Sequence, residues 1–113
     1  MDIQSTLPLT EVTYFILISL APGPKHGYAI MKDVQQLSEE RVRLSTGTLY
    51  GAIKRLLDLN WISRDDDPAY QNNGRVRKAY QLTSLGREIL EAEISRLDNL
   101  VAAARTRAVR DQA

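Results

Sequence analysis

A chain of 113 residues, 43% of them hydrophobic and with a net charge of +1, suffices for one globular domain with a real core. The absence of cysteine and the presence of a single histidine exclude a disulfide framework and a thiolate or histidine-built zinc site. No charged segment followed by a long apolar run opens the chain, and the longest apolar run, residues 14–18, is too short for a bilayer, so a cytoplasmic protein with no membrane partner is expected.

Residues 1–9 read as a loose N-terminal arm ending near Pro8. Thr10 suits the N-cap of a first helix reaching about Leu20, with Val12, Phe15, Ile16 and Leu20 at helical spacing. Pro22-Gly23-Pro24 breaks the chain. A second helix is expected from about His26 to Leu37, with Tyr28, Ile30, Met31, Val34 and Leu37 as its apolar positions. Residues 41–44 fit a very short strand or a turn.

Ser45 is a favoured N-cap for a third helix. Leu49, Ala52, Ile53, Leu56 and Leu57 form its apolar stripe. Gly47, Gly51, Lys54, Arg55 and Asp58 lie opposite, with Thr48 and Tyr50 on the flanks. Asn60 is a suitable left-handed stop. Strands are expected at about 61–65 and 75–82, joined through Asn73-Gly74, a strong hairpin signal because both residues tolerate positive φ. In the second strand Arg75, Arg77 and Ala79 share a wet face, and Tyr80 and Leu82 a packed one. Thr83 caps a final helix from Ser84 to roughly Arg107.

The predicted fold is mainly α with a small β-hairpin. It is a winged helix-turn-helix over residues 10–82, followed by a long C-terminal dimerisation helix over 83–113.

The distribution of charge says more than its sum. Residues 1–40 carry a balance of −3 and residues 41–60 one of +3, while Arg75, Arg77 and Lys78 meet no acid within 71–80. Duplex binding responds to such local positive potential. The outward face of the third helix suits a major groove, where hydroxyls reach base edges and cations favour guanine, and its two glycines allow close backbone approach. The bland reading is a solvated amphipathic helix. The cations of the hairpin can neutralise phosphates or enter a minor groove, or simply protect an edge strand. Asp65-Asp66-Asp67 opposes the DNA reading and fits a solvated loop better than a cation site. His26 reads as a capping or packing residue and Trp61 as core. Tyr14, Tyr28 and Tyr50 either pack or donate to phosphate.

The last helix carries Leu85, Ile89, Ala92, Leu97, Leu100, Val101, Ala104 and Ala108, spaced mostly by three and four. One winged domain cannot cover a stripe of that length, so a helix from a second copy is expected against it; the bland reading is that the helix folds back as ordinary core.

Ordered along the chain are Leu9-Thr10, Ile16-Leu17, Gly23-Pro24-Lys25-His26-Gly27-Tyr28-Ala29-Ile30 and Ser45-Thr46-Gly47-Thr48-Leu49-Tyr50-Gly51-Ala52-Ile53-Lys54-Arg55-Leu56. Then come Asn60-Trp61-Ile62, Gly74-Arg75-Val76-Arg77-Lys78-Ala79-Tyr80 and Leu82-Thr83-Ser84-Leu85-Gly86-Arg87. Together, over about residues 9–90, they resemble the PadR-like transcriptional regulators, in the short branch with a single C-terminal dimer helix. The resemblance implies a homodimeric repressor that binds an inverted-repeat operator in double-stranded DNA and releases it when a small-molecule effector binds. It assigns residues 45–57 to the recognition helix and 72–78 to the wing. Some members hold flat aromatic drugs between tryptophans of the dimer helices, whereas this chain has no aromatic residue after Tyr80.

The expected DNA contacts are Tyr28, Ser45, Thr46, Thr48, Tyr50, Lys54 and Arg55, with Asn73, Gly74, Arg75, Arg77 and Lys78 from the wing. The expected dimer contacts are Leu85, Ile89, Leu97, Leu100, Val101 and Ala104. No catalytic residue, metal or cofactor is expected. Two other readings compete. A winged helix can serve as a protein-interaction module without DNA. An enzyme would need a convergent set of reactive groups, which the sequence does not offer.

Overall fold

The computed structural model describes residues 2–72 and 75–109, and the side chains of these except 67–72, 75–77 and 109. Among the described residues the α-helices are α1 (Glu11–Leu20), α2 (Gly27–Leu37), α3 (Thr46–Asp58) and α4 (Ser84–Ala104). The strands are β1 (Lys25–His26), β2 (Ile62–Arg64), β3 (Asp67–Asn72), β4 (Arg75–Arg77) and β5 (Ala79–Leu82). A 3₁₀ turn at Ile3–Thr6 precedes α1, and a π turn at Arg105–Val109 follows α4.

Three helices start as their caps dictate. Thr10 Oγ1 accepts from Thr13 N–H at 3.2 Å, Ser45 Oγ from Thr48 N–H at 3.1 Å, and Thr83 Oγ1 from Gly86 N–H at 3.0 Å. α3 stops at Asn60, whose φ is 67°; Trp61 N–H bonds to Leu56 C=O and Asn60 N–H to Leu57 C=O, closing a Schellman motif. α2 ends in the same way, with Glu40 N–H on Gln35 C=O and Glu39 N–H on Gln36 C=O. Here the left-handed residues are Glu39 (φ 53°) and Glu40 (φ 69°), neither of which is a stop signal in sequence. Residues 41–44 form no strand.

β5 is the middle strand of a three-stranded antiparallel sheet ordered β1-β5-β2; β3 and β4 form a separate two-stranded hairpin. The single strand expected over 75–82 is therefore two, divided at Lys78. The division resets the pleat. Ala79, expected on a wet face, is buried beside buried Tyr80. The break has a physical cause: β5 pairs on both edges with core strands, whereas β4 pairs only within the wing.

Ile16, Leu17, Leu20, Ile30, Val34, Leu49, Ile53, Leu56, Ile62 and Ile89 are essentially inaccessible and join α1, α2, α3, the sheet and the start of α4 in one core. The arm is not loose. Ile3, Leu7 and Leu9 pack against this core, and Leu9 N–H donates to Glu93 Oε2 at 2.8 Å. Glu93 is buried on α4 and also accepts from Arg96, which holds its carboxyl below the usual glutamate range against the opposing effect of burial. The molecule measures 62 × 33 × 22 Å, elongated beyond what one small domain needs.

Candidate nucleic-acid interface

The α2–α3 turn positions the third helix. Buried Ser38 knits it, its hydroxyl accepting from Val42 N–H at 2.9 Å and donating to Gln35 C=O at 3.2 Å. Beyond it, the cations of residues 41–60 are engaged. Arg41 bonds Glu11 at 2.8 Å, Arg43 lies 3.3 Å from Glu40, and Lys54 lies 3.7 Å from Asp58. The Arg41 guanidinium holds the Glu11 carboxyl below its ordinary range. These pairs are exposed and weak, so phosphate can displace the acids. They also temper the positive potential that the sequence balance suggests.

Ser45, Thr46, Gly47, Thr48, Tyr50, Gly51, Lys54 and Arg55 are all exposed on α3 or at its cap. A Cβ added at Gly47 or Gly51 would meet nothing within 4 Å, so no packing among the described residues requires these glycines. The hydroxyls at the helix start are mutually occupied: Ser45 Oγ donates to Thr48 Oγ1 at 2.9 Å while capping Thr48 N–H. Ser45 therefore acts first as a cap. Arg55 turns away toward α1, its Nη2 3.4 Å from Thr13 Oγ1, along a groove it shares with Thr10, Thr13 and Trp61.

On the other flank Tyr28, Met31, Thr46, Leu49 and Tyr50 line a shallow cleft of about 220 Å³ between α2 and α3. Tyr28 is 59% exposed, with Lys32 Nζ 5.7 Å from its ring centre, and Tyr50 is 44% exposed. Tyr50 lies over Gly27, where an added Cβ would come within 2.5 Å of its hydroxyl. Tyr14 instead packs against the core beside Phe15.

The base of the wing meets the start of α2, where His26 Nδ1 lies 3.3 Å from Lys78 C=O. β3 and β4 pair antiparallel, Gln71 with Val76 and Asn72 with Arg75, and the register shifts between Asp67 and Gln71. Asn73, Gly74 and the side chains of Arg75 and Arg77 lie outside the described residues. Lys78 is exposed at the wing base. One of the acids that oppose the DNA reading, Asp66, has a structural task. Asp66 takes a bidentate grip from Arg64, Nε at 2.9 Å and Nη2 at 2.6 Å, and this holds its carboxyl below the usual range. Arg64 also lies 6.0 Å from the Tyr80 ring centre, while burial pushes the Tyr80 hydroxyl up. His26 makes no capping bond; its Nδ1 approaches Lys78 C=O at 3.3 Å.

α4 divides by exposure. Ile89, expected at a dimer contact, is wholly buried in its own domain, and Leu85 is half-buried against the same core. The correction has a simple cause: α4 packs against α1, the N-terminal 3₁₀ turn and β5, and Ile89 falls inside that packing. Farther along, Leu97 is half-buried, Leu100 is 55% and Val101 49% exposed, and Ala104 is exposed. Ile94, 40% exposed, joins Leu97, Val101 and Ala104 at spacings of three and four; the sequence reading passed over it. Among the described residues no three acidic or histidine side chains gather as a metal site, and no helix is long and apolar enough to cross a membrane.

Comparison with known proteins agrees with this geometry. The model of the "Transcriptional regulator PadR-like family" matches residues 16–92. An uncharacterized 37.1 kDa protein in transposon TN4556 of Streptomyces fradiae is 40% identical over 83 residues, 74% of this chain; the chain spans only 22% of that protein. A PadR family transcription regulator from Clostridium difficile R20291 superposes with a TM-score of 0.70 at 27% identity, covering 86% of this chain and 97% of that one. A PadR-like transcription factor from Bacteroides fragilis gives 0.69 at 27% identity, covering 86% and 89%. Bacillus subtilis PadR in complex with operator DNA shares the fold, with a TM-score of 0.65 at 24% identity over 75% of this chain and 47% of that one.

Proposed function

Because the chain belongs to the PadR-like family of transcriptional regulators, we propose that it is a sequence-specific DNA-binding repressor, acting as a homodimer on an inverted-repeat operator and released by a small-molecule effector. The observation that carries the reading is the outer face of α3, where Gly47 and Gly51 leave the backbone open with no packing reason among the described residues. The wing base, with exposed Lys78, meets the start of α2. The complex of Bacillus subtilis PadR with operator DNA supports the same direction.

In this reading Thr46, Thr48, Tyr50 and Lys54 face base edges or nearby phosphates, Tyr28 reaches the backbone from α2, and the wing cations hold the flanking strand. Ser45 presets the helix, and Arg55 assists only by leaving Thr13. Ile94, Leu97, Leu100, Val101 and Ala104 meet the same surface of a second copy, an isologous contact.

Fluorescence anisotropy against fragments selected from the source genome tests the reading. Lys78→Ala is expected to weaken all sequences alike and lower the salt slope by about one phosphate. Thr48→Ala is expected to alter sequence preference instead. Equal weakening on every fragment removes Thr48 as a reader, and no binding to any duplex at low salt favours a protein-interaction module.

A further inference from the structure

The strand returning from the wing passes from β4 to β5 at Lys78, and side chains hold both polar groups of the Lys78–Ala79 peptide there. Its carbonyl faces His26 Nδ1 at 3.3 Å, and its N–H donates to Asp66 Oδ1 at 3.4 Å. Asp65 N–H donates back to Ala79 C=O at 2.9 Å. His26 arrives from the start of α2, beside Gly27 and the Tyr50 ring. Asp66 arrives from the end of β2, gripped by Arg64, whose guanidinium lies over Tyr80. The start of α2 and the end of β2 thus converge on one peptide.

The convergence matters because β3 and β4 form a sheet of their own, sharing no ladder with β1-β5-β2. An isolated two-stranded hairpin is marginal in water and free to swing about its base. A wing already held at its working angle loses less conformational freedom on binding. Charge alone gives no reason for an acid here, since a carboxylate at the wing base repels phosphate.

We infer that His26 and Asp66 clamp the Lys78–Ala79 peptide and fix the angle between the wing and the α2–α3 surface, making both positioning residues for duplex binding. The inference rests on the DNA-binding reading above. It gives Asp66 a sign opposite to that of its charge: removing the carboxylate weakens binding.

The chain lacks cysteine, so paired spin labels at Q71C and D58C report the wing–α3 distance cleanly in the full chain. In Asp66→Ala and His26→Ala the distance distribution is expected to broaden, with binding to a short mixed-sequence duplex about tenfold weaker and the thermal midpoint unchanged. Asp66→Asn, which keeps an acceptor and removes the charge, retains the native distance. A native distance in both alanine variants overturns the inference, as does tighter duplex binding by Asp66→Ala. If the unaltered chain binds no duplex, the DNA reading fails while the spin labels still report whether the clamp holds the wing.

Discussion

Two glycines and one glutamate separate what stability requires from what the surface offers. A Cβ at Gly86 would run into the backbone carbonyl of Trp61, which cannot rotate away. Gly86→Ala is therefore expected to cost about 2–3 kcal/mol in urea unfolding. Gly51→Ala meets open space and gains helix propensity, so it is expected to hold or raise stability by up to about 1 kcal/mol while weakening duplex binding. Lost stability in Gly51→Ala counts against the open-face argument. Glu93 contributes differently. Its carboxyl is held below the ordinary glutamate value by Arg96 and by Leu9 N–H, so its contribution is complete above about pH 4.3. It fades as pH falls from there through the lower folded value. Glu93→Gln is expected to cost about 2 kcal/mol at neutral pH and progressively less toward pH 3, measured by denaturant midpoints. A difference that grows on acidification reverses the assignment.

At the scale of elements, α4 does two jobs with one stripe. Its first turns anchor the domain through Ile89, Leu90 and Glu93, and its later turns present Ile94, Leu100 and Val101 outward beside half-buried Leu97. Ile89→Ala is expected to lose about 2–5 kcal/mol of stability. For the proposed dimer, Leu100→Glu paired with Val101→Glu is expected to leave the fold intact and abolish self-association, as read by light scattering and thermal melting. A doubly charged variant that remains dimeric would move the interface elsewhere. The α2–α3 unit shows the same economy: the turn that orients α3 relies on two left-handed glutamates, and one of them, Glu40, also holds Arg43.

For the whole molecule, two copies joined through their protruding helices would carry two recognition helices to one face of a duplex. Successive half-sites then lie one helical turn apart, about 10 base pairs, or a multiple of it. Inserting about five base pairs between half-sites is expected to weaken binding of the dimer strongly, because it rotates one half-site to the opposite face. The charge-substituted α4 variant should be indifferent to the same insertion. Equal tolerance by the unaltered protein would mean that the two copies read DNA independently.

Features that depend on neighbours in sequence were legible. Thr10, Ser45 and Thr83 cap because a short hydroxyl side chain reaches N–H groups three residues on, and Asn60 stops α3 because it tolerates a left-handed backbone. The apolar stripe of α3 follows from periodicity alone. The rest turned on residues far apart along the chain. β1 is two residues long and exists because β5 offers an edge; Arg41 pairs with Glu11 thirty positions away. The arm is ordered because Glu93 is buried 84 residues beyond its partner Leu9. Ile89 and Leu100 are both apolar helical positions in sequence, and only the reach of α1, the N-terminal turn and β5 along α4 makes one core and leaves the other exposed. Periodicity shows which faces are apolar; which of those faces a neighbour covers is decided by tertiary packing.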